Sequence, residues 1–548
     1  MVLSTLMMTA AQAAAAPPLP AAQDHTAAAD ARPVTLMPGI QGVHFAISTR
    51  REEAQKFFDQ GMALVYAFNH EEAVRSFRRA AEIDPASPMP YWGIALALGP
   101  NINQEIDVER ETAAYDAVQK AAALAVRAPV KERAYVAALA KRYSIAPKAN
   151  LTALAVEYKD AMRQLTRTYP SDMHAATLFA ESLMDLHPWA LYSADGTPAE
   201  GTNELIEVLE HVLEREPDHV GANHYYIHAT EASLTPERGV KSAKKLETLV
   251  PSAGHLVHMP AHTYMRTGNY TGAVAANARA ADVDRKYIAE THAGGFYPAM
   301  YYNHNLDFLA SAAMMAGQYN EALKAARELT ANVTPMLADM PMLEPFGAKT
   351  LFVLIRFAKW NDVLALPQPP AQSTILTTLY HFGRGVAHAA LGASADADAD
   401  RRAFAAARQA IAAGTLFNLN PASNVLSVAE HVLDARIAAS RGDADASIAA
   451  WRKAVAAEDT ITYNEPPDWF YPTRESLGAA LLRLKRYEEA DLVFREDLER
   501  NPNSGRSLWG RWQALRASDG DVPGTLVVRR RFQDAWNDAD TALKLDDF

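Results

Sequence analysis

Histidine is the residue type that this sequence concentrates. Eleven of its seventeen histidines fall between His174 and His304, where an even spread would place about four. Two groups carry helical spacing. His224, His228 and Glu231 sit at i, i+4, i+7, and His255, His258 and His262 sit at i, i+3, i+7, so each trio makes one stripe along one helix face. Imidazole and carboxylate without thiolate suit zinc, iron, manganese or copper, and facing helices carrying such side chains are how metal sites inside bundles are built. The spacing therefore predicts a mono- or dinuclear metal site. Each histidine alone also has a plainer use as a hydrogen-bonded packing residue. The neighbouring Tyr225, Tyr226, Tyr264, Tyr301 and Tyr302 allow a metal-free alternative, a groove that grips a peptide or an aromatic small molecule.

Composition narrows the chemistry. The chain has 548 residues, with 65 acidic against 53 basic side chains and a formal charge of -12. That is the wrong sign for a protein whose main work is to neutralise phosphates, so nucleic acid is not an expected partner. The absence of cysteine removes thiolate zinc sites, iron–sulfur clusters and cysteine nucleophiles together. His-Glu-x-x-His, Gly-x-Ser-x-Gly, the phosphate-binding Gly-x-x-x-x-Gly-Lys and the dinucleotide glycine fingerprint do not occur. Any reaction here is expected to be metal-assisted or of an unfamiliar kind.

The elements that must position these residues are helices. From Arg50 onward Ala, Leu, Arg and Glu dominate, apolar residues recur at three and four, and alternating β-branched runs are rare. Phe57, Gly61, Ala73, Phe77, Ala80 and Pro85 fall at the spacing of the tetratricopeptide repeat, and Leu477, Gly478, Leu481, Ala490, Phe494 and Pro502 repeat it near the other end. Weaker matches lie between: Ala310 with Ala322, Ile227 with Gly239 and Pro251, and His262 with Ala273. The sequence thus resembles the tetratricopeptide family over roughly residues 50–515. The expected fold is an all-α superhelical solenoid of antiparallel helix pairs. Its organisation is read as a leader over 1–24, an extended linker over 25–49, one solenoid over 50–365 and a second over 374–548. Residues 187–203 read as an inserted surface loop, and 366–373 and 392–400 as loops or hinges. A second resemblance is to a family of bacterial, often exported tetratricopeptide proteins of unassigned biochemistry. It rests on residues 91–95 (YWGIA), 99–103 (GPNIN), 224–228 (HYYIH), 255–262 (HLVHMPAH) and 465–469 (EPPDW).

The repeat resemblance implies which side chains face the concave groove, namely the second, fifth, ninth and twelfth of each first helix. Those places hold His255 and His258; His224, His228 and Glu231; His304 and Asp307; and His174 and Glu181. His262 is read at the eighth place, where the repeat normally has a small residue. The candidate metal ligands are therefore His174, His224, His228, His255, His258, His262 and His304, with Glu231, Glu181 or Asp307 as ligand or general base. Tyr225, Tyr226, Tyr264, Asn101, Asn103, Glu465 and Trp469 are candidate ligand-binding residues, the last two in a rigid acidic and aromatic segment, 463–471.

Two functional classes follow. The first is a binding or scaffolding protein of the cell envelope whose groove holds a metal ion, a peptide, a protein tail or a small ligand. The second is a metal-dependent hydrolase or oxidoreductase. No later stretch reaches the roughly 18 uninterrupted apolar residues of a membrane span. Residues 2–16 form an apolar run that ends in small residues before Pro17, Pro18 and Pro20, like a secretory leader, although the first arginine is Arg32. Without export the chain would be cytoplasmic. Intact-mass analysis of cell fractions is expected to find a periplasmic or secreted chain beginning between residues 17 and 24; full-length chain confined to the cytosol would overturn this.

Overall fold

The computed structural model describes residues 33–146, 149–518 and 522–548, so the expected leader over 1–24 lies outside the described residues. The chain is an all-α solenoid. Glu52–Tyr66 pairs with His70–Ile83, Met173–Met184 with Thr202–Arg215, Val220–Glu231 with Val240–Leu249, and Asn303–Ala316 with Tyr319–Val333. Thr374–Ala390 with Ser394–Gln409, Ala422–Ser440 with Ala444–Glu458, and Thr473–Arg483 with Tyr487–Arg500 continue the series. The only strands among the described residues are the two-residue pair Leu416–Phe417 and Asn420–Pro421. No described helix is long and apolar enough to cross a membrane.

One packing device explains why the hairpins stack. A Cβ at Gly61 would lie 2.5 Å from the Phe77 ring, and a Cβ at Gly93 would lie equally close to that same ring. Phe77, fully buried, is thus wedged between the first helix of its own pair and the first helix of the next. Phe494 does the same between Gly478 and Gly510. Glycine is needed because no Cβ fits at that approach, and the large ring fills the space it leaves. Side-chain caps start several helices: Asp172 accepts from the Ala175 amide at 3.2 Å and Asn269 from the Gly272 amide at 3.1 Å.

Three expectations change. The linker over 33–49 is extended but packed: Gln60 accepts from the Met37 amide at 2.7 Å, and Phe45 is buried against Phe58 and Tyr135. The Ala-Asp alternation read as a loop over 392–400 is helical from Ser394 onward. Alanine favours helix, Ala397 and Phe404 face the core, and Asp400 is engaged by His381 and His388, so the charged positions do not break the turn. The stretch 254–267 is two helices, Gly254–His258 and Pro260–Thr267, because Pro260 has no amide to donate at the junction.

The far end of the chain returns to the histidine-rich half. Arg266 stacks on the Tyr463 ring at 5.4 Å, the Gly268 backbone abuts Pro502, and Asp540 accepts from the amides of Tyr319 (2.6 Å) and Asn320 (2.9 Å). Phe77→Ala is expected to cost about 3–5 kcal/mol, because it empties a fully buried site and uncouples two repeats; urea denaturation measures it.

Candidate metal centre

Close backbone approach brings the histidine helices together. Gly221, at the start of Val220–Glu231, lies where a Cβ would be 2.5 Å from the Tyr66 ring. That contact sets the helix against the end of Glu52–Tyr66, where His224 Nδ1 donates to the Tyr66 carbonyl at 2.7 Å. Asp284 abuts Gly254 and accepts from the Tyr297 hydroxyl at 3.0 Å and Asn305 Nδ2 at 2.7 Å; the Tyr297 oxygen in turn accepts from the His255 amide at 3.3 Å. A π-helical stretch, Tyr297–Tyr302, then leads into Asn303–Ala316, which carries His304.

The result is one continuous cluster. His224, His228 and His255 offer ring nitrogens within 4.8 Å of one another, as do His258, His262 and His304, and as do the donors of His228, Glu231 and His262. All are buried except His304, which is half-buried. The histidines expected to line an open groove are instead mostly buried, because aromatic rings pack on them. Phe68 stacks on His255 (5.4 Å) and His228 (6.0 Å), Tyr301 packs on His255 (4.9 Å), and Phe308 packs on His258 and His262 (both 4.9 Å). Phe68 holds a left-handed backbone, φ 55°, at a hairpin turn where Gly268, Gly317, Gly392 and Gly442 stand elsewhere; the ring is what this costlier residue contributes.

The hydrogen bonds fix the tautomers. Asn277 Nδ2 donates to the Ala273 carbonyl at 2.9 Å, so its Oδ1 is an acceptor, and His258 Nδ1, 2.6 Å away, must donate to it. His228 Nδ1 donates to Glu231 Oε1 at 2.8 Å, and His262 Nδ1 donates to Glu231 Oε2. Burial opposes the charge on Glu231, but His262 and His228 outweigh it and hold the carboxyl well below the usual range, so both oxygens accept. His224, His228, His258 and His262 therefore each spend Nδ1 as a donor and keep a lone pair on Nε2. Between His258 and His262 those two lone pairs face each other at 2.8 Å. Two acceptors cannot rest at that distance, so a proton or a metal cation belongs between them. Burial, reinforced by neighbouring imidazoles, pushes His224, His255 and His258 well below the normal histidine pKa and His304 down to about 3, which favours neutral rings able to ligate.

Other sequence candidates lie elsewhere. Counting from Ala273 puts Ala261 at the small-residue place, and His262, one residue on, turns its ring into the cluster rather than filling space between helices. His174 stands apart. His219 accepts the Ala222 amide through Nδ1 at 3.1 Å, so its Nε2 donates to His174 Nδ1 at 3.1 Å, while His174 Nε2 donates to the His44 carbonyl at 3.1 Å. Both His174 nitrogens are spent, which removes it from the ligand set. Glu181 belongs to a buried cluster with Asp185 and Arg142, whose Nη2 meets Asp185 at 2.5 Å and whose Nη1 is 4.0 Å from Glu181; burial and Asp185 raise the Glu181 pKa. Asp307 pairs with buried Lys349 at 2.7 Å. Tyr226 and Tyr264 donate to Glu210 (2.5 Å) and Glu247 (2.7 Å), tying helices together rather than lining a groove. Trp469 is buried among Phe382, Phe470 and Tyr471.

Tyr225, Asn101, Asn103 and Glu465 border the centre. Tyr225 is buried 5.3 Å from the His224 ring. Asn101 accepts from the Asn103 amide at 2.8 Å; Asn103 donates to the Tyr301 hydroxyl at 3.2 Å and accepts from Trp189 Nε1 at 3.1 Å. Glu465 is buried with Oε2 free of hydrogen bonds, and burial, partly offset by His262 and Arg266, pushes its pKa up to about 7. Asn277, Phe68, Phe308 and Trp189 were not foreseen. The one visible signal was Asn277, a lone amide in the small apolar stripe Ala273, Ala276, Ala280 and Ala281.

No family model and no curated protein matches this chain. Among solved structures, human IFIT1 in a dimer with m7Gppp-AAAA is similar at 12% identity over 95% of this chain and 96% of that one, with a TM-score of 0.34. The TPR domain of P58(IPK) gives 12% over 85% and 98% (TM-score 0.21), and the APC/C hetero-tetramer Cut9–Hcn1 gives 12% over 90% and 97% (TM-score 0.27). No ligand is carried over from them.

Arg142→Met is expected to destabilise the fold by about 3–5 kcal/mol in denaturant titrations, since it strands two buried carboxylates, while metal bound per folded chain stays unchanged.

Proposed function

We propose that this protein is a tetratricopeptide-like binding protein whose buried centre holds a transition metal between His258, His262 and His304. The observation that carries the reading is the convergence of three imidazoles whose donor atoms lie within 4.8 Å of one another, two of them with Nδ1 already committed to Asn277 and Glu231 so that Nε2 is left to face an ion. Metal-bound imidazoles characteristically donate their other nitrogen to a carboxylate or carbonyl, and both do so here. An all-imidazole set favours zinc, copper or iron, and ranks manganese lower. The half-buried edge of His304 gives an ion a way in.

Binding is better supported than catalysis. The general bases expected from sequence are each engaged: Glu181 with Arg142, Asp307 with Lys349, and Glu231 with two imidazoles. A peptide or protein partner on the remaining concave surface, and a place in the cell envelope, belong to the same proposal and rest on the repeat architecture and the leader-like residues 2–16.

Elemental analysis of protein purified without chelator or nickel affinity resin is expected to find at least one transition-metal ion per chain. His258→Ala is expected to abolish the ion at this triad, and Asn277→Ala to weaken it by about 10–100-fold. A metal-free chain that zinc, copper and iron all fail to reconstitute would return the cluster to a packing role.

A further inference from the structure

The centre contains a second set of donors that a single ion does not use. His224, His228 and His255 share no member with His258, His262 and His304, and each set brings its donors within 4.8 Å. In the first set, His224 Nε2 and His255 Nε2 lie 3.2 Å apart. For metal–nitrogen bonds of about 2.0–2.1 Å, tetrahedral ligands stand about 3.2–3.5 Å from each other, so this spacing suits one edge of a tetrahedral site. A hydrogen bond from His255 Nε2 to His224 would also satisfy that pair, but it leaves His228 Nε2 as a buried lone pair without a partner, which an ion shared by the three rings would engage. Phe68, stacked on both rings, excludes water from that side.

Glu231 links the two sets. Its Oε1 accepts from His228 of the first and its Oε2 from His262 of the second, so one carboxylate orients an imidazole in each. With its two oxygens taken by N–H groups, Glu231 is a positioning residue rather than a ligand, which sets aside the third possible group, His228, Glu231 and His262.

We infer that the protein binds two transition-metal ions, one on His224, His228 and His255 and one on His258, His262 and His304, with Glu231 aligning both. This rests on the reading above, and ion stoichiometry separates the two. Full-length chain stripped with chelator and dialysed against zinc is expected to hold two ions. His255→Gln and His304→Gln are each expected to hold one, and the double variant none. Glu231→Gln, which offers one carbonyl and one amide where two acceptors are needed, is expected to hold one at most. Cobalt(II) titration of the unsubstituted protein, followed by its visible bands, is expected to saturate at two equivalents and gives a readout independent of how well any variant folds.

Saturation at one equivalent, with His255→Gln still holding that ion, would overturn the second site and leave the first, with an ordered water as the occupant between His228 and His255. No ion at all would overturn both. Two ions retained in Glu231→Gln would overturn the shared-carboxylate assignment.

Discussion

His258 and His262 meet Nε2 to Nε2 at 2.8 Å with both Nδ1 atoms committed elsewhere, so a proton or a metal cation must lie between them. Everything around that contact is arranged to keep it so. Asn277 is itself held by the Ala273 carbonyl, so it can only accept from His258, and Glu231 can only accept from His262. Neither ring can turn its protonated nitrogen inward without stranding a buried acceptor, which costs more than a single hydrogen bond returns. The need for a proton or an ion between the two rings is thus set by the residues behind them, and Glu231 carries the same orientation to His228.

A solenoid is a suitable frame for such a centre because stacked helix pairs locate one another, and here contacts between distant pairs add to that. The glycine and phenylalanine wedge at Gly61, Phe77 and Gly93 fixes the spacing of successive pairs at the amino-terminal end, and Gly221 against Tyr66 does the same where the histidine helix meets the first one. Small residues at these crossings allow backbones to approach, and that approach places His224 against the Tyr66 carbonyl. The Pro260 junction breaks the helix between His258 and His262, so the pair meets through two short helices rather than along one straight face.

The buried charges elsewhere show the same economy. Arg142 with Asp185 and Glu181, Lys349 with Asp307, and Arg356 with Glu475 are each paired inside the protein, as ions removed from water must be. Glu465 differs, since one of its oxygens has no hydrogen-bond partner although the side chain is buried. It reaches the histidine centre from the far end of the chain, carried by a segment that Asp468 anchors through Asn418, Asn420 and Asn464 (2.7–2.8 Å) and that Phe470 stacks onto Phe352 at 4.2 Å.

Local periodicity made the helices, the repeat and the histidine stripes legible, because a period of 3.6 and a run of small residues at fixed spacing leave their mark within a few dozen positions. The repeat register aimed His224, His228, His255, His258 and His304 at one surface, whereas it read His262 at the small-residue place. What stood outside the sequence was decided by contacts between distant residues. The departure of His174 from the set depends on His219 and the His44 carbonyl, the commitment of Asp307 depends on Lys349, and the burial of the histidines depends on Phe68, Tyr301 and Phe308. Sequence alone determined that His224 and His228 share one helix face. Only the tertiary structure decided which nitrogen of each ring is spent on a neighbour and which is left free, because a tautomer is set by hydrogen-bond partners that spacing along one helix does not specify.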